Sequence, residues 1–475
     1  MRAVSRPSLS RSYRKGLIAL AFLLLANAFA FRAVADENCE PFAEPYPAAG
    51  TRAAPASHEG GIVPSASAPA QGSAKASGPG AIVPLPVSAG RGAPAVGGEV
   101  LLALPKRPDG SMPTNFQLGP GVTVAEHYWS PVLCATIARL VGPPGATVAE
   151  IVPRVPPGAA AARHDRYSTA GVALRAAPAL PAQTTATAQA EEPDPYRSLQ
   201  YGLDRLGADA ASRVSRGAGV KIGILDSAPQ VSHRDLSAVE VATVDGGPTG
   251  EPAAHGTLMA GVVRAVARNG FGIAGVAPAA QVIAVPVCTP TGAGASDECR
   301  LYDVLRGLDL AWNQGATVLN LSLVGPDNPL LERAVARLEK LGALVVAAAG
   351  NEGTTEARYP AAYASVIGVG ALDAQGKTFA RGNLGPSAEL LAPGVEVLST
   401  VPGDAFAFGD GTSLAAAYVS GALAVLVSAS ADPARARTAL FQAADVARPA
   451  TSDPSLPPPL PPLCEALARL DKPCP

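Results

Sequence analysis

Apolar runs alternate with amphipathic segments along the middle of the chain. Some runs are apolar almost throughout, which is typical of strands buried on both faces of a parallel sheet: residues 220–226, 281–287, 317–323, 343–349 and 365–372. Other segments predict helices between and after them: residues 255–267, 302–314, 330–341 and 412–428. The alternation predicts an α/β domain over residues 196–445, with a doubly wound, mostly parallel sheet and helices on both faces.

A smaller pattern precedes this domain. Residues 99–104 and 146–155 predict strands and residues 132–141 predict an amphipathic helix, so residues 98–156 form a small α+β unit. The flanking segments are rich in Ala and Pro and have no apolar periodicity. They predict a disordered linker over residues 36–97 and an exposed, cleavable connector over residues 157–195. The Pro-rich tail, residues 446–475, is too short for a second folded domain.

The amino-terminal residues predict export. Several Arg residues and Lys15 precede an apolar run at residues 16–31 and an Ala-Val-Ala sequence at residues 33–35, which together predict a signal peptide over residues 1–35. An uncleaved anchor is the alternative, although the run is shorter than the roughly 20 residues that span a bilayer. No other stretch is a firm membrane anchor, because residues 415–429 are apolar but short and predict a buried helix.

Charge and cysteine content narrow the class of protein. A net charge of −2 with 16% charged residues excludes an electrostatic nucleic-acid binder. The six cysteines form no CxxC pair, and in an exported chain an even number favours disulfides over metal binding. Cys288 with Cys299, and Cys464 with Cys474, are close enough in sequence to close local loops. The histidines His127 and His164 are interpreted as surface residues.

Three polar residues stand where the predicted sheet would present a site. Asp226 ends the first strand, His255 begins a helix between glycines, and Ser413 stands at the amino end of a helix of small residues. Each alone has an ordinary explanation: a turn, a structural histidine and a helix cap. Together they supply a nucleophile, a base and the carboxylate that fixes the tautomer of the base. The sequence therefore predicts a catalytic triad in the order Asp, His, Ser.

This order and several motifs resemble the subtilisin-like (subtilase) serine proteases, peptidase family S8, over residues 196–431. The motifs are the three triad segments, VVAAAGNEG at residues 345–353, YPAAY at residues 359–363 and LAPGV at residues 391–395. The resemblance implies that Asn351 and the backbone N–H of Ser413 hold the oxyanion.

The resemblance also implies the substrate-binding residues and the role of the preceding unit. A peptide would pair with an edge strand at Ser322, Leu323, Val324 and Gly325. The primary pocket would be walled by Ala347, Ala348, Ala349 and Gly350, with Glu352 near its rim and a mild preference for basic side chains. Residues 98–156 stand where subtilases carry a pro-domain, an intramolecular inhibitor that is cut off within the connector.

Two features qualify the resemblance. Asp235 and Asn269 fall where subtilisins bind a structural calcium ion. A single carboxylate is few ligands for Ca²⁺, and the alternative that Asp235 caps a turn and Asn269 starts one is at least equally good. The family usually has Gly at the position of Ala228, Pro at Ala417 and often His at Tyr418. Ala228 would strain the turn after Asp226 if that turn requires a positive φ.

The sequence thus predicts a secreted serine endopeptidase that acts on proteins or peptides through an acyl-enzyme intermediate. It is made as a preproprotein, requires no cofactor and is exported to the periplasm, the cell surface or the medium. The alternatives are a non-catalytic pseudoprotease that binds peptides or a surface partner, and an esterase that uses the same triad.

Overall fold

The computed structural model describes residues 97–105, 117–155, 159–178, 192–237, 239–244, 247–248, 251–292, 296–448 and 453–475. The predicted signal peptide and nearly all of the predicted linker over residues 36–97 lie outside the described residues.

The strands, in chain order, are β1 (Glu99–Pro105), β2 (Thr123–Ser130), β3 (Ala135–Val141), β4 (Ala160–Arg163), β5 (Arg166–Thr169), β6 (Ala173–Ala176), β7 (Lys221–Asp226), β8 (Val239–Val241), β9 (Gln281–Pro286), β10 (Cys288–Thr289), β11 (Glu298–Arg300), β12 (Val318–Leu321), β13 (Leu323–Val324), β14 (Leu344–Ala348), β15 (Val366–Leu372), β16 (Leu390–Pro393), β17 (Val397–Val401) and β18 (Ala405–Asp410). The α-helices are α1 (Val148–Ile151), α2 (Tyr201–Arg205), α3 (Ala208–Ala211), α4 (Ala254–Arg264), α5 (Leu301–Asn313), α6 (Pro329–Lys340), α7 (Thr412–Ser430), α8 (Pro433–Ala447) and α9 (Leu463–Ala468). Short 3-10 helices cover Arg197–Leu199, Arg234–Leu236 and Gly385–Ser387.

A seven-stranded sheet forms the centre of the molecule, in the order β16-β15-β14-β12-β7-β9-β8. All of its neighbouring strands run parallel. One apolar cluster joins a face of the sheet to α4, α7 and α8, and a second joins the other face to α5 and α6. The predicted doubly wound α/β fold is confirmed, and the predicted strands and helices agree with β7, β9, β12, β14, β15, α4, α5, α6 and α7 to within a few residues.

Helix α7 runs through the core. It has the length and apolarity of a membrane span, but 89% of its most apolar window is buried inside the protein. Its first sixteen residues are all buried, and it contacts the central strands β12, β14, β15 and β16. This packing agrees with the predicted buried helix and explains the absence of a polar face, because nearly every side of the helix meets protein.

The smaller unit, called here the N-terminal unit and comprising the described residues of 97–163, is an antiparallel sheet in the order β2-β3-β1-β4 with α1 on one face. Two local predictions were wrong. Residues 135–141 form a strand rather than part of a helix, because β3 pairs along its length with both β1 and β2, and Cys134 adopts a positive φ of 52° that ends the preceding turn. Residues 148–151 are helical rather than extended.

The helix at 148–151 begins with a capping box that the sequence already contained. The Thr147 side chain accepts from the backbone N–H of Glu150, and the Glu150 carboxylate accepts from the N–H of Thr147. Such a Thr-x-x-Glu pattern satisfies two backbone donors that a helix start leaves unpaired. The apolar residues around it therefore pack as a helical turn against β1 rather than as a strand.

The main domain, comprising the described residues from 192 onward, is closed by the carboxyl-terminal tail. Pro459 forms an isolated bridge with Leu391 on the sheet's edge strand β16, and Leu463 N–H donates to Leu206 O at 2.8 Å. Both predicted disulfides, Cys288–Cys299 and Cys464–Cys474, are present. The tail therefore covers a sheet edge and forms part of the main domain rather than a separate unit.

Candidate active site

The site lies at the carboxyl ends of the central parallel strands. Asp226 is the last residue of β7, which has β9 on one side and β12 on the other, and only 1% of Asp226 is exposed. The backbone N–H of Ser227 donates to Asp226 Oδ1 at 2.7 Å, and the Ser227 hydroxyl donates to the same oxygen at 3.1 Å. These bonds fix the carboxylate while leaving Oδ2 free for a further partner.

His255 is the second residue of α4. Its Nδ1 lies 2.8 Å from Asp226 Oδ1 and 3.0 Å from Oδ2. Burial lowers the pKa of His255. The charge of Asp226 and its hydrogen bond to the imidazole together raise this pKa by more than burial lowers it, so the net shift is upward. Gly256 permits this approach of helix to strand, because a Cβ there would lie 2.0 Å from the carbonyl oxygen of Ser227.

Ser413 is the second residue of α7, and its Oγ lies 3.1 Å from His255 Nε2. The structure thus brings Asp226, His255 and Ser413, which are far apart in sequence, into one hydrogen-bonded chain. That arrangement has the geometry in which an imidazole takes the proton of a serine hydroxyl while a carboxylate holds its other nitrogen.

Asn351 lies beside Ser413, just after β14. Its Oδ1 accepts from the N–H of Thr412 at 2.9 Å and from the Thr412 hydroxyl at 3.0 Å. Its Nδ2 donates to the carbonyl oxygen of Gly171 at 2.8 Å. The amide is therefore oriented by the start of α7 and points a donor at a peptide carbonyl next to the serine.

The cleft above these residues is filled by the chain itself. Residues 166–172, called here the cleft segment, begin with β5, which lies antiparallel between β11 and β13. The N–H of Ala170 donates to Ser322 O at 2.9 Å, and the hydroxyl of Ser413 donates to Ala170 O at 2.8 Å. After the cleft segment, β6 pairs with β18. The peptide bond after Ala170 thus stands at Ser413.

Three residues of the cleft segment, Tyr167, Thr169 and Ala170, are buried, which corrects the expectation of an exposed connector at these positions, whereas β6 after the segment is exposed. Tyr167 is 2% exposed and its hydroxyl donates to Pro326 O at 2.9 Å. Its ring lies against Gly325, where an added Cβ would come within 2.2 Å of the ring. Thr169 and Ala170 are equally buried. The Ala- and Pro-rich composition of residues 157–195 predicted an exposed connector, but pairing with β11 and β13 orders the cleft segment within it.

The predicted substrate-binding residues divide into two groups. Ser322, Leu323, Val324 and Gly325 lie along the cleft segment, and Leu323–Val324 is β13, opposite Thr169 and Ser168. Ala347, Ala348, Ala349 and Gly350 form the buried end of β14 and the turn after it, and the N–H of Gly350 donates to the Thr412 hydroxyl at 3.0 Å.

Glu352, at the predicted rim, already has partners within the protein. The amide of Asn383 donates to Glu352 Oε2, and Arg358 Nε lies 3.9 Å from the same oxygen. These contacts leave less of its charge available to a substrate, which weakens the expected preference for basic side chains.

The residues considered for calcium, Asp235 and Asn269, lie close together, but their side chains hydrogen-bond to each other and to the backbone. The Asn269 amide donates to Asp235 Oδ1 at 2.9 Å, and Asp235 Oδ2 accepts from the N–H of Ile273 at 3.0 Å. Asn269 Oδ1 accepts from Phe271 N–H at 2.9 Å. No cluster of three or more acidic, His or Cys residues that could hold a metal occurs within the described part of the chain. As arranged, these oxygens do not fit a calcium ion, which requires six to eight oxygen ligands.

The departures from the subtilase pattern are accommodated. Ala228 is not among the described residues with positive φ, and its carbonyl accepts from Ala253 N–H at 2.8 Å. Ala417 continues α7 without interruption. Tyr418 packs against Gly202, where a Cβ would lie 2.3 Å from the Tyr418 hydroxyl oxygen. The strain expected at Ala228 is therefore absent.

Two contacts that the sequence did not indicate tie the N-terminal unit to the main domain. His164, predicted on the surface, is fully buried; its Nδ1 lies 2.7 Å from Glu99 Oε2, and its Nε2 accepts from the N–H of Tyr302 at the start of α5. Asp309, on α5, accepts hydrogen bonds from the Tyr128 hydroxyl, the Ser130 hydroxyl and the N–H of Val132. A lone His or a helical Asp carries no sequence signal for such partners.

Comparisons with known proteins agree with this geometry. Residues 217–455 match the model of the family described as the subtilase family. Subtilisin BL from Lederbergia lenta is 39% identical over 240 residues, which is 48% of this chain and 84% of that protein. Thermitase from Thermoactinomyces vulgaris is 37% identical over 258 residues, 53% of this chain and 91% of that protein. An alkaline protease from Shouchella clausii is 38% identical over 48% of this chain and 60% of its own length.

Proposed function

Because the chain belongs to the subtilase family of serine proteases, we propose that it is a secreted endopeptidase whose own N-terminal unit blocks the active site until a peptide bond in the cleft segment is cut. The single observation that carries this proposal is the position of the Ala170 carbonyl, 2.8 Å from the hydroxyl oxygen of Ser413. A peptide already lies where a substrate would be attacked.

The proposed reaction proceeds through an acyl-enzyme. Ser413 Oγ attacks the substrate carbonyl carbon while His255 Nε2 takes the hydroxyl proton. Asp226 holds the imidazole in the tautomer that carries its proton on Nδ1 and stabilises the imidazolium that forms. When the C–N bond breaks, His255 gives its proton to the leaving amine. Water then repeats these steps, breaks the ester to Ser413 and releases the acid.

Asn351 and the backbone N–H of Ser413 would stabilise the negative oxygen of the tetrahedral intermediate. In the docked chain the Asn351 amide contacts the carbonyl of Gly171, one residue beyond the carbonyl that contacts Ser413. Cleavage after Ala170 therefore requires its carbonyl to turn towards Asn351. Cleavage after Gly171 is the competing outcome, and the two leave different new amino termini.

The proposed substrate-binding mode is strand addition. The cleft segment pairs with β13 in antiparallel register, with Thr169 opposite Leu323 and Ser168 opposite Val324, and it pairs with β11 on its other side. Backbone bonds of this kind bind many sequences, while pockets select among side chains. Protein and peptide substrates would follow the same path once the cleft segment leaves.

The N-terminal unit is the proposed intramolecular inhibitor. One face of its sheet shares an apolar cluster with α5 and α6, including Leu101 and Ile137 from the unit and Leu301 and Leu330 from the main domain. This cluster holds the unit on the main domain even after the cleft segment is cut, so inhibition would end only when the unit dissociates.

Export as a preproprotein belongs to the same proposal. The signal-peptide pattern at residues 1–35 motivates it. The disulfides Cys288–Cys299 and Cys464–Cys474 support it, because such bonds persist in the oxidising environment outside the cytoplasm. No cofactor takes part in the proposed chemistry.

The test combines a fluorophosphonate probe, casein digestion and sequencing of the new amino terminus, on the full chain and on Ser413→Ala. We expect Ser413-dependent labelling, digestion of casein, and a processed product that begins at Gly171. Labelling without digestion would support the esterase, and absence of both would support a pseudoprotease. A product beginning at Val172 would move the scissile bond by one residue, and processing of Ser413→Ala would refute self-cleavage.

A further inference from the structure

Asp297 stands opposite the residue that precedes Ala170. The antiparallel strand pair ends at Glu298 and Ser168, and one residue further along the cleft segment the N–H of Thr169 donates to Asp297 O at 2.9 Å. In return the N–H of Asp297 donates to the Thr169 hydroxyl oxygen at 2.9 Å. Thr169 is the second residue before the proposed scissile bond. Asp297 is therefore part of the wall that meets this position.

The Asp297 carboxyl group is buried and incompletely paired. Only 7% of the residue is exposed, and Oδ2 has no hydrogen-bond partner among the described residues. The Thr169 side chain contacts the backbone of Asp297, and the Ser227 hydroxyl and the charges of Asp226 and His255 act on the Asp297 carboxyl. The carboxyl therefore lies near both the triad and the side chain of residue 169.

The surroundings of the Asp297 carboxyl favour a substrate group that donates a hydrogen bond and disfavour a second carboxylate. Burial raises the pKa of Asp297, and the nearby charge of Asp226 also raises it. The hydrogen bond with the Ser227 hydroxyl and the charge of His255 lower this pKa, but the net shift is upward. A buried acceptor without a partner carries a desolvation cost that an arriving donor removes. An arriving carboxylate instead adds like-charge repulsion where little water screens it.

The backbone that carries Asp297 is held in place. β11 begins one residue later, and Cys299 within it is joined by a disulfide to Cys288 on the paired strand β10. A wall fixed in this way cannot easily turn the carboxyl away from an unfavourable substrate.

We propose that Asp297 is the residue that selects the side chain at the second position before the scissile bond. It favours side chains that bring a hydrogen-bond donor or a positive charge, and it rejects acidic ones. This inference rests on the proposed function and names the substrate class of the same site: peptides with Lys or Arg at that position rather than Asp or Glu.

The first experiment changes the bound residue within the chain, where no catalysis is needed. In the uncleavable Ser413→Ala background, Thr169→Asp and Thr169→Asn are compared by hydrogen exchange of the cleft segment, each with and without Asp297→Asn. Two unit charges about 5 Å apart at an effective dielectric of about 20 repel enough for a 10-fold to 100-fold effect after partial screening. We expect Thr169→Asp to lower protection by about that factor relative to Thr169→Asn, and Asp297→Asn to restore most of it.

The rescue keeps the experiment decisive if Asp297→Asn alone weakens the fold, because an unfolded variant cannot restore protection. Asp209→Asn, the same change at an exposed carboxyl on α3, is the matched control and should rescue nothing. Equal protection for Thr169→Asp and Thr169→Asn, or equal rescue by the control, would overturn the proposal.

The second experiment measures kcat/KM of the processed enzyme at pH 8 on peptides that copy the cleft segment with Thr, Lys, Asn or Asp at position 169. We expect Asp to be cleaved about 10-fold to 100-fold less efficiently than Asn, and Asp297→Asn to bring the two within a few-fold. A ratio unchanged by Asp297→Asn refutes the inference. If the enzyme cleaves none of the peptides, the proposed function fails, while the exchange experiment still decides the role of Asp297.

Discussion

Docking of the N-terminal unit depends on one carboxyl group of the main domain. Asp309 on α5 accepts from Val132 N–H at 2.9 Å, from the Ser130 hydroxyl at 3.0 Å and from the Tyr128 hydroxyl at 3.1 Å. All three donors belong to the N-terminal unit. Asp309→Ala therefore removes a contact between the two parts while deleting no hydrogen bond described within the main domain.

The expected weakening of docking in Asp309→Ala is the balance between the hydrogen bonds lost in the docked state and the carboxylate desolvation that docking no longer requires. Hydrogen bonds to a charged group contribute about 1.5–3 kcal/mol each, but they are not additive, and docking also strips water from the carboxylate. A net loss of about 3 kcal/mol is a reasonable expectation, which corresponds to about a 100-fold shift towards the undocked state. Val132 N–H and Ser130, both buried when docked, would be left without this acceptor.

The pH dependence provides an independent check. Burial raises the pKa of Asp309 to about 7, whereas the same group exposed on undocked α5 would titrate near 3.9. The docked state therefore holds an extra proton between about pH 4 and pH 7. Docking must weaken as pH rises through this window, and above it Asp309 adds no further slope. Asp309→Asn should remove this slope and cost less than Asp309→Ala.

His164 acts at the acid end with the opposite sign. Burial lowers its pKa, although Glu99 opposes the shift, and its neutral Nε2 is the acceptor for Tyr302 N–H. Docking therefore weakens as pH falls through that lowered pKa. The contribution of Asp309 is read from the difference between the parent chain and Asp309→Asn, in which the effect of His164 cancels.

The assay is hydrogen exchange of the Val132 amide in the Ser413→Ala chain, in which the unit stays covalently attached. Asp373→Ala is the matched control, because Asp373 also accepts from two backbone N–H groups but within a single turn of the main domain. We expect faster Val132 exchange only for the Asp309 variants. Exchange in Asp309→Ala within twofold of the parent would refute this account of docking.

Three further predictions follow from the same geometry. Asn351→Ala should lower kcat by about 100-fold or more with a smaller change in KM, since the lost donor serves the intermediate, and an unchanged kcat would remove Asn351 from the mechanism. Cys288→Ser with Cys299→Ser opens a link between residues 11 apart, and should cost about 2–3 kcal/mol of unfolding free energy and raise KM; an unchanged thermal unfolding temperature would contradict this. Excess EDTA should leave that temperature unchanged, because the oxygens of Asp235 and Asn269 already accept N–H donors, and a marked fall would show that calcium stabilises the protein.

The local pattern of apolar and polar residues was sufficient to predict the fold of the main domain. The strands around Asp226 and Asn351 are apolar almost throughout, so their period and length predicted a covered parallel sheet, and the start of each helix fixed where His255 and Ser413 would stand. Chain order and short motifs identified the family because the triad residues sit at element ends, where sequence position and spatial position are linked.

The same pattern was a weaker guide to secondary structure in the N-terminal unit. Residues 135–141 have the apolar content of either a short helix or a strand, and pairing with β1 and β2 on both sides decided for the strand. The capping box at Thr147 and Glu150 was a readable signal for the helix that replaced a predicted strand. Short elements are decided by their partners, because they have too few local bonds of their own.

The sequence by itself determined the fold class, the family and the residues that form the Asp226, His255 and Ser413 chain, since each depends on local pattern or on residue identity at an element end. Only the tertiary structure decided that the cleft segment lies against Ser413, that Asp309 and His164 hold the N-terminal unit, and that Asp297 faces residue 169. These contacts join residues more than a hundred positions apart. Their partners are chosen by packing and hydrogen bonding across the whole fold, and no local pattern records that choice.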